Sequence, residues 1–185
     1  MKLWVSKMKQ VMLTIRLWYF YLTYKRIKNL EIRKTCPCDF FDYLIDSELK
    51  EPLEVYEYVS KTNWKQDLMK IPPQDREFFK KFVGKVGLKF TLKNVNDIKF
   101  IEKDDGEIAY VYKGITPSSE NYNSCLSFNE LHAYLKGKDG YAWNIDDLMT
   151  YDTPRELGEF FTVMGTHKPS YMLERPPQSW CYIEV

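Results

Sequence analysis

Residues 11 to 24, Val-Met-Leu-Thr-Ile-Arg-Leu-Trp-Tyr-Phe-Tyr-Leu-Thr-Tyr, form the longest apolar and aromatic run in the chain, and any fold has to bury them. Positive charges bracket the run: Lys2, Lys7 and Lys9 before it, Lys25, Arg26 and Lys28 after it. A bilayer-spanning helix needs about 20 consecutive apolar residues. This run is shorter and carries Arg16 near its middle, so no transmembrane segment is expected. A secretory signal would end in small residues at a cleavage site. Here the run passes straight into Tyr24-Lys25-Arg26, and a cytoplasmic protein is the expectation.

As a helix, the segment puts Trp4, Met8, Val11, Met12, Ile15, Trp18, Tyr19 and Leu22 on one wide face, with Leu13, Leu17, Phe20 and Tyr24 on a second stripe. As a strand, it sets Leu13, Ile15, Leu17, Tyr19 and Tyr21 against Thr14, Arg16, Trp18 and Phe20, and its aromatic and β-branched content suits that form. No Gly, Pro, Asn or Asp interrupts residues 1 to 28. The length of this uninterrupted stretch predicts a long N-terminal helix, with a strand at 11–24 as the alternative.

Charge follows in blocks. Residues 1 to 34 hold nine Lys or Arg against the single acid Glu31, a net of +8, although the whole chain is only +1. Residues 35 to 60 hold seven acids against Lys50, a net of −6, and residues 61 to 90 hold eight Lys or Arg against three acids, a net of +5. Basic residues interleaved with aromatics can grip phosphates and stack on bases. An acidic block that follows a basic one can equally neutralise it inside the same molecule, which argues against that use.

Down the chain, Phe40 to Leu49 and then Leu53, Val55, Tyr56 and Val59 after Pro52 are expected to form an acidic helical pair. Pro72-Pro73 breaks the chain before a helix running from Gln74 to Gly84. From Val86 the apolar period becomes two, and Ile98 to Ile101 and Ile108 to Tyr112 flank Asp105-Gly106, a hairpin-turn signal. Three antiparallel strands follow from this. Ser127-Phe128-Asn129-Glu130 is a capping box that opens a helix reaching Gly137. Thr153-Pro154-Arg155-Glu156 predicts another, running to Gly165. Trp180 to Val185 reads as a last strand paired with the meander.

The residues that carry chemistry are sparse. No Walker loop, GxGxxG, GxSxG or HExxH occurs. Cys36, Cys38, Cys125 and Cys181 lack the spacing of a zinc knuckle, and the two histidines, His132 and His167, fall short of a ligand set. Catalytic residues, a metal and a cofactor are therefore not expected. Asp146, Asp147, Asp152, Glu156 and Glu159 could hold Mg²⁺, but acids near helix starts are expected for dipole reasons alone.

The expected architecture is an α+β single domain, 1–185, with a soft internal boundary near residue 84. Residues 1–84 are mostly helical, and 85–185 form a three- or four-stranded antiparallel sheet with two helices on one face. Aromatics make up 16% of the chain, with fourteen Tyr and five Trp, and such residues anchor interfaces. Only three alanines (109, 133, 142) occur, as an AT-rich coding sequence would give. The first expectation for function is a small intracellular non-enzymatic protein-binding factor, a phage- or mobile-element-encoded inhibitor that occupies another protein's surface. Its face would comprise Tyr122, Tyr141, Trp143, Asp146, Asp147, Tyr151, Asp152, Glu156 and Glu159. The alternative is a nucleic-acid-binding protein that uses Lys7, Lys9, Arg16, Lys25, Arg26 and Lys28 of the basic aromatic N-terminal segment, with Lys80, Lys81 and Lys85.

Overall fold

The computed structural model describes residues 9–37, 48–114, 122–163 and 171–185. In chain order the elements are β1 (Gln10–Ile15), α1 (Leu17–Tyr24), β2 (Leu30–Arg33), β3 (Glu48–Val59), α2 (Trp64–Lys70), α3 (Arg76–Lys80), β4 (Val86–Glu102) and β5 (Ile108–Tyr112). There follow α4 (Phe128–Leu135), β6 (Gly140–Asn144), β7 (Asp146–Arg155), β8 (Phe161–Thr162) and β9 (Trp180–Glu184). These nine strands, paired both parallel and antiparallel, and four short α-helices replace the helical N-terminal half and the small antiparallel sheet that the sequence predicts. Among the described residues no helix is long and apolar enough to cross a membrane.

The leading segment shows why the helix expectation fails. Val11, Met12 and Leu13 are wholly buried although they alternate between the two faces of β1. β1 pairs in parallel with β3, from Gln10↔Glu54 to Ile15↔Val59, and antiparallel with β9, from Gln10↔Ile183 to Leu13↔Trp180. An interior strand covered on both faces is apolar at every position, so it has no period of two to detect. Only Arg16 separates β1 from α1, with no Gly, Pro, Asn or Asp to mark the joint, so the sequence predicts one long element where there are two.

By its contacts the chain divides into two units. The first takes residues 1–24, 51–91 and 147–185, and its strands run in the order β4-β3-β1-β9-β8. On one face Met12, Tyr56, Tyr58 and Val86 pack with Phe160, Leu173 and Ile183. Elsewhere in the unit Phe20 of α1 meets Phe79 and Phe82 at ring-centroid separations of 6.1 and 5.1 Å. Gly87 lets these rings lie against β4, since a Cβ there would overlap both Phe20 and Phe82. Arg16, just before α1, clamps Asp67 of α2 with two hydrogen bonds of 2.5 and 3.0 Å, and Asp67 is fully buried.

Three further expectations change in this unit. Residues 48–59 of the expected acidic helical pair are the strand β3, while residues 38–47 lie outside the described residues. Pro52 precedes the stretch of β3 that pairs with β1, so its missing N–H takes nothing from that ladder. Thr153-Pro154 closes β7 instead of opening a helix. Glu156 caps a single 3₁₀ turn at Leu157–Glu159, its backbone N–H donating to Glu159 Oε1 at 2.7 Å. β9 pairs with β1 and β8, not with the predicted meander.

The second unit takes residues 25–50 and 92–146, with strand order β2-β6-β4 and β5 also on β4. β4 is one strand of 17 residues where the sequence suggested two. The hairpin to β5 forms as read, from Ile98↔Tyr112 to Glu102↔Ile108, and Gly106 turns it at φ +82°. The capping box at Ser127 also forms as read, with Ser127 Oγ accepting the Glu130 N–H at 3.3 Å and Glu130 Oε2 accepting the Ser127 N–H at 2.9 Å. Leu131 and Leu135 of α4 bury themselves on Leu30, Ile32, Ile98 and Ala142.

Candidate nucleic-acid interface

In the first unit, residues 61–85 set most of their charge outward and turn two of their four aromatic rings, Phe79 and Phe82, inward. Asn63, at φ +53°, starts α2, and Arg76 reaches back to finish it, donating from Nε to Ile71 O at 2.9 Å and from Nη2 to Met69 O at 3.0 Å. That fixes Pro72-Pro73 as a corner between α2 and α3. Phe79 and Phe82 are buried, with Phe79 edge-on to Tyr21 and to Tyr24 at 4.9 and 5.1 Å. Phe78 stays 38% exposed with the Tyr24 ring beside it at 5.7 Å.

Lys61, Lys65, Lys70, Lys80 and Lys81 are all exposed. Lys81 Nζ sits 3.8 Å from the centroid of Phe78 and donates to Asp152 O at 2.6 Å, and Lys65 Nζ lies 5.8 Å from the Trp64 ring. The acids of this stretch do little to offset them outside. Asp67 is buried on Arg16, Asp75 accepts the Tyr21 hydroxyl at 3.3 Å, and Glu77 lies 3.8 Å from Lys80. Ammonium groups standing on or beside aromatic faces can hold phosphates while the rings offer a stacking surface.

Two polar clusters lie elsewhere, and the sequence reading named neither. On β3 of the first unit, Glu54 accepts hydrogen bonds from Gln10 at 2.8 Å and from the Tyr56 hydroxyl at 2.6 Å, and pairs with Lys89. Burial works to raise the Glu54 carboxyl, but the bonds from Lys89, Tyr56 and Gln10 outweigh it and hold the group below its ordinary range. The same burial and the Glu54 charge push the Tyr56 phenol well up. In the second unit Glu31 binds Lys28 and also Arg33 Nη2 at 2.8 Å, with side chains only 3% (Lys28), 7% (Glu31) and 9% (Arg33) exposed. Burial opposes ionisation of Glu31, and the two cations more than reverse that, leaving its carboxyl below the usual value. Both clusters are ionic bonds turned inward. The alternation Glu54, Tyr56, Tyr58, Ser60 was the available signal for the first, and it was hidden because this stretch was read as a helix.

The residues proposed from sequence separate between the units. Of the basic set, Lys7 lies outside the described residues, Lys9 is exposed, and Arg16 is committed to Asp67. Lys85 pairs with Glu156 at 2.7 Å, while Lys80 and Lys81 remain on the outward face. Lys25 and Arg26 are exposed in the second unit, where Lys28 is buried on Glu31. Of the protein-docking set, Tyr122, Tyr141, Trp143 and Asp146 belong to the second unit, and Asp147, Tyr151, Asp152, Glu156 and Glu159 to the first. Trp143, its intended anchor, is wholly buried in β6 opposite Glu31 and Val95. Tyr122 packs beside the α4 core and Tyr151 beside Tyr56 and Phe160. Glu159 holds Arg155 at 2.9 Å. Among the described residues no three of His, Cys, Asp and Glu gather as a metal site. His132 instead lies 3.2 Å from the Tyr110 hydroxyl and stacks on Phe128, and His167 lies outside the described residues.

No protein-family model matches this chain, and no curated protein matches it. Among solved structures, the chain is similar to ASCH from Zymomonas mobilis at 12% identity, with 95% of this chain and 88% of that chain covered and a TM-score of 0.49. Two point mutants of the same protein match at 11% identity and TM-scores of 0.48, one over 91% of its length and the other over 89%. With Trp143 wholly buried and the docking set divided between the two units, the inhibitor expectation is withdrawn.

Proposed function

We propose that the protein binds nucleic acid through the lysine and aromatic face of residues 61–81, and not through the N-terminal segment. The observation that carries this is the exposed Phe78 with the Lys81 ammonium 3.8 Å above its ring, in a stretch that also carries the outward Lys61, Lys65, Lys70 and Lys80. Lysines displace counterions from phosphates, and an accessible ring gives an unpaired base something to stack on, so a single strand suits the face better than a duplex. A cytoplasmic location fits the reduced Cys125 and Cys181 thiols.

Fluorescence anisotropy with single-stranded and duplex oligonucleotides over a salt series is the test. Each phosphate contact on a single strand contributes about −0.7 to the slope of log K against log salt. Replacing Lys65, Lys70 and Lys80 together by alanine should therefore flatten the slope by about 2. Binding that ignores salt, or a variant that binds and titrates like the parent, would remove this face from consideration.

A further inference from the structure

We infer that a cleft reached from Lys61 is the seat for one unpaired base that carries an exocyclic amino group: adenine, cytosine or guanine in preference to uracil or thymine. The inference rests on the nucleic-acid reading above and deepens it by naming the kind of strand bound.

The cleft measures about 490 Å³ and lies wholly within the first unit. That is the scale of a site for a small ligand. Its apolar walls are Tyr58, Leu157, Leu173 and Pro176. Tyr58 and Leu173 are buried members of the β-sheet core, so these walls are backed by packing and hold their shape. Burial also raises the Tyr58 phenol, which stays a neutral hydroxyl.

Five polar residues, Ser60, Lys61, Thr62, Glu156 and Glu174, mark the rest of the lining with Gly84 and Gly158. Lys61 lies with its stem across Gly84, where a Cβ would overlap Lys61 Cε. Gly84 sits at φ +82° and donates its N–H to Val59 O at 2.8 Å, so the lysine rests on a fixed turn. Glu156 and Glu174 bring carboxylates to the cleft, and Lys85 anchors Glu156 at 2.7 Å. Ser60, whose Oγ accepts the Thr62 N–H at 3.0 Å, adds a hydroxyl to the lining.

A ligand that satisfies this lining needs a flat apolar body, an anionic group for Lys61 and N–H donors for the carboxylates. A nucleotide whose base bears an amino group has all three. Carboxylates accept from cytosine N4, a contact of the kind worth roughly five- to 150-fold in discrimination against the wrong base. Uracil and thymine turn two carbonyl oxygens toward the same carboxylates, with a single N–H between them, and are disfavoured. A base can enter only when unpaired, in keeping with a single strand.

The experiment compares oligocytidylate with oligouridylate, and oligodeoxycytidylate with oligothymidylate, at equal length and constant salt, on the whole chain. Cytosine strands should bind at least about fivefold more tightly; agreement between the ribose and deoxyribose pairs assigns the preference to the base. Glu174→Gln, which disturbs no bond described above, should at least halve that preference, because its amide can donate to a uracil carbonyl where the carboxylate repelled it. Glu156→Gln should act the same way while also releasing Lys85. Equal affinity for the two bases with a normal salt slope, or a preference that survives both variants, overturns the base seat and leaves the lysine face standing. Failure to bind any strand overturns both readings.

Discussion

Glu31→Gln should be among the most damaging single substitutions on β2. The carboxylate is the common acceptor of Lys28 and Arg33, and all three side chains are less than a tenth exposed. Removing one member of a buried ionic group costs about 3–5 kcal/mol, because the remaining charges stay desolvated without the partner that offset them. For a chain of this size that corresponds to a fall in Tm of roughly 6–20 °C. The pH dependence supplies an independent check. Glu31 titrates below its usual value in the folded protein, so the unfolded chain binds more protons over the acid range. The stability it contributes is complete above the ordinary Glu pKa of 4.5 and is lost as pH falls through the folded value. Urea unfolding at neutral pH and on the acid side of 4.5 should show a large gap between parent and Glu31→Gln that narrows in acid. Replacing Lys28, Glu31 and Arg33 together with apolar residues of similar volume should recover much of the loss, since a buried ionic group is seldom better than good packing. A Glu31→Gln protein within about 1 kcal/mol of the parent at neutral pH, or a gap that does not change with pH, would refute this account.

Gly87→Ala should destabilise the first unit by about 1–3 kcal/mol, the usual cost of overpacking, because the new methyl meets the Phe20 and Phe82 rings; an unchanged urea midpoint would show that the rings move aside freely. Burial pushes the Cys181 thiol up to about 11 from an ordinary 9, so iodoacetamide at mildly alkaline pH should alkylate it slowly in the folded chain and quickly in urea. With the folded value above the unfolded one, Cys181 stabilises the fold fully below pH 9 and loses that contribution between about 9 and 11, which a pH series of unfolding midpoints with and without Cys181→Ala would reveal.

Much of the local structure was legible because its causes lie within a few residues. Asp105-Gly106 turns the β4–β5 hairpin, with Gly106 N–H bonded to Lys103 O at 2.9 Å and Asp105 Oδ1 accepting the Glu107 N–H at 3.0 Å. Pro72-Pro73 separates α2 from α3, as such a pair must. The same kind of signal misled at Thr153-Pro154, where the strand β7 continued through the proline and the cap fell at Glu156. A capping pattern states only what a helix start would look like, and sheet pairing overruled it.

Of the candidate interface, the sequence marked Lys80 and Lys81 and the surplus of positive charge over residues 61 to 90. It placed Arg16 and Lys28 in the same role, and their partners show why that failed. Asp67 stands 51 residues from Arg16, and Glu31 is only three from Lys28 but becomes its partner through burial. Charge counts treat both as available cations, although Arg16 is committed to Asp67 and Lys28 is buried on Glu31.

Turn and capping chemistry thus determined the β4–β5 turn, the corner between α2 and α3 and the start of α4, and the apolar run of residues 11 to 24 marked itself as mostly interior. What lies on either side of that interior stretch was decided by tertiary pairing alone. Gln10 stands opposite Glu54 on one side and Ile183 on the other, and no pattern within a dozen residues encodes neighbours so distant. Burial on both faces erases the alternation by which a strand is recognised, so β1 and the buried Trp143 became identifiable only once the strands had been brought together.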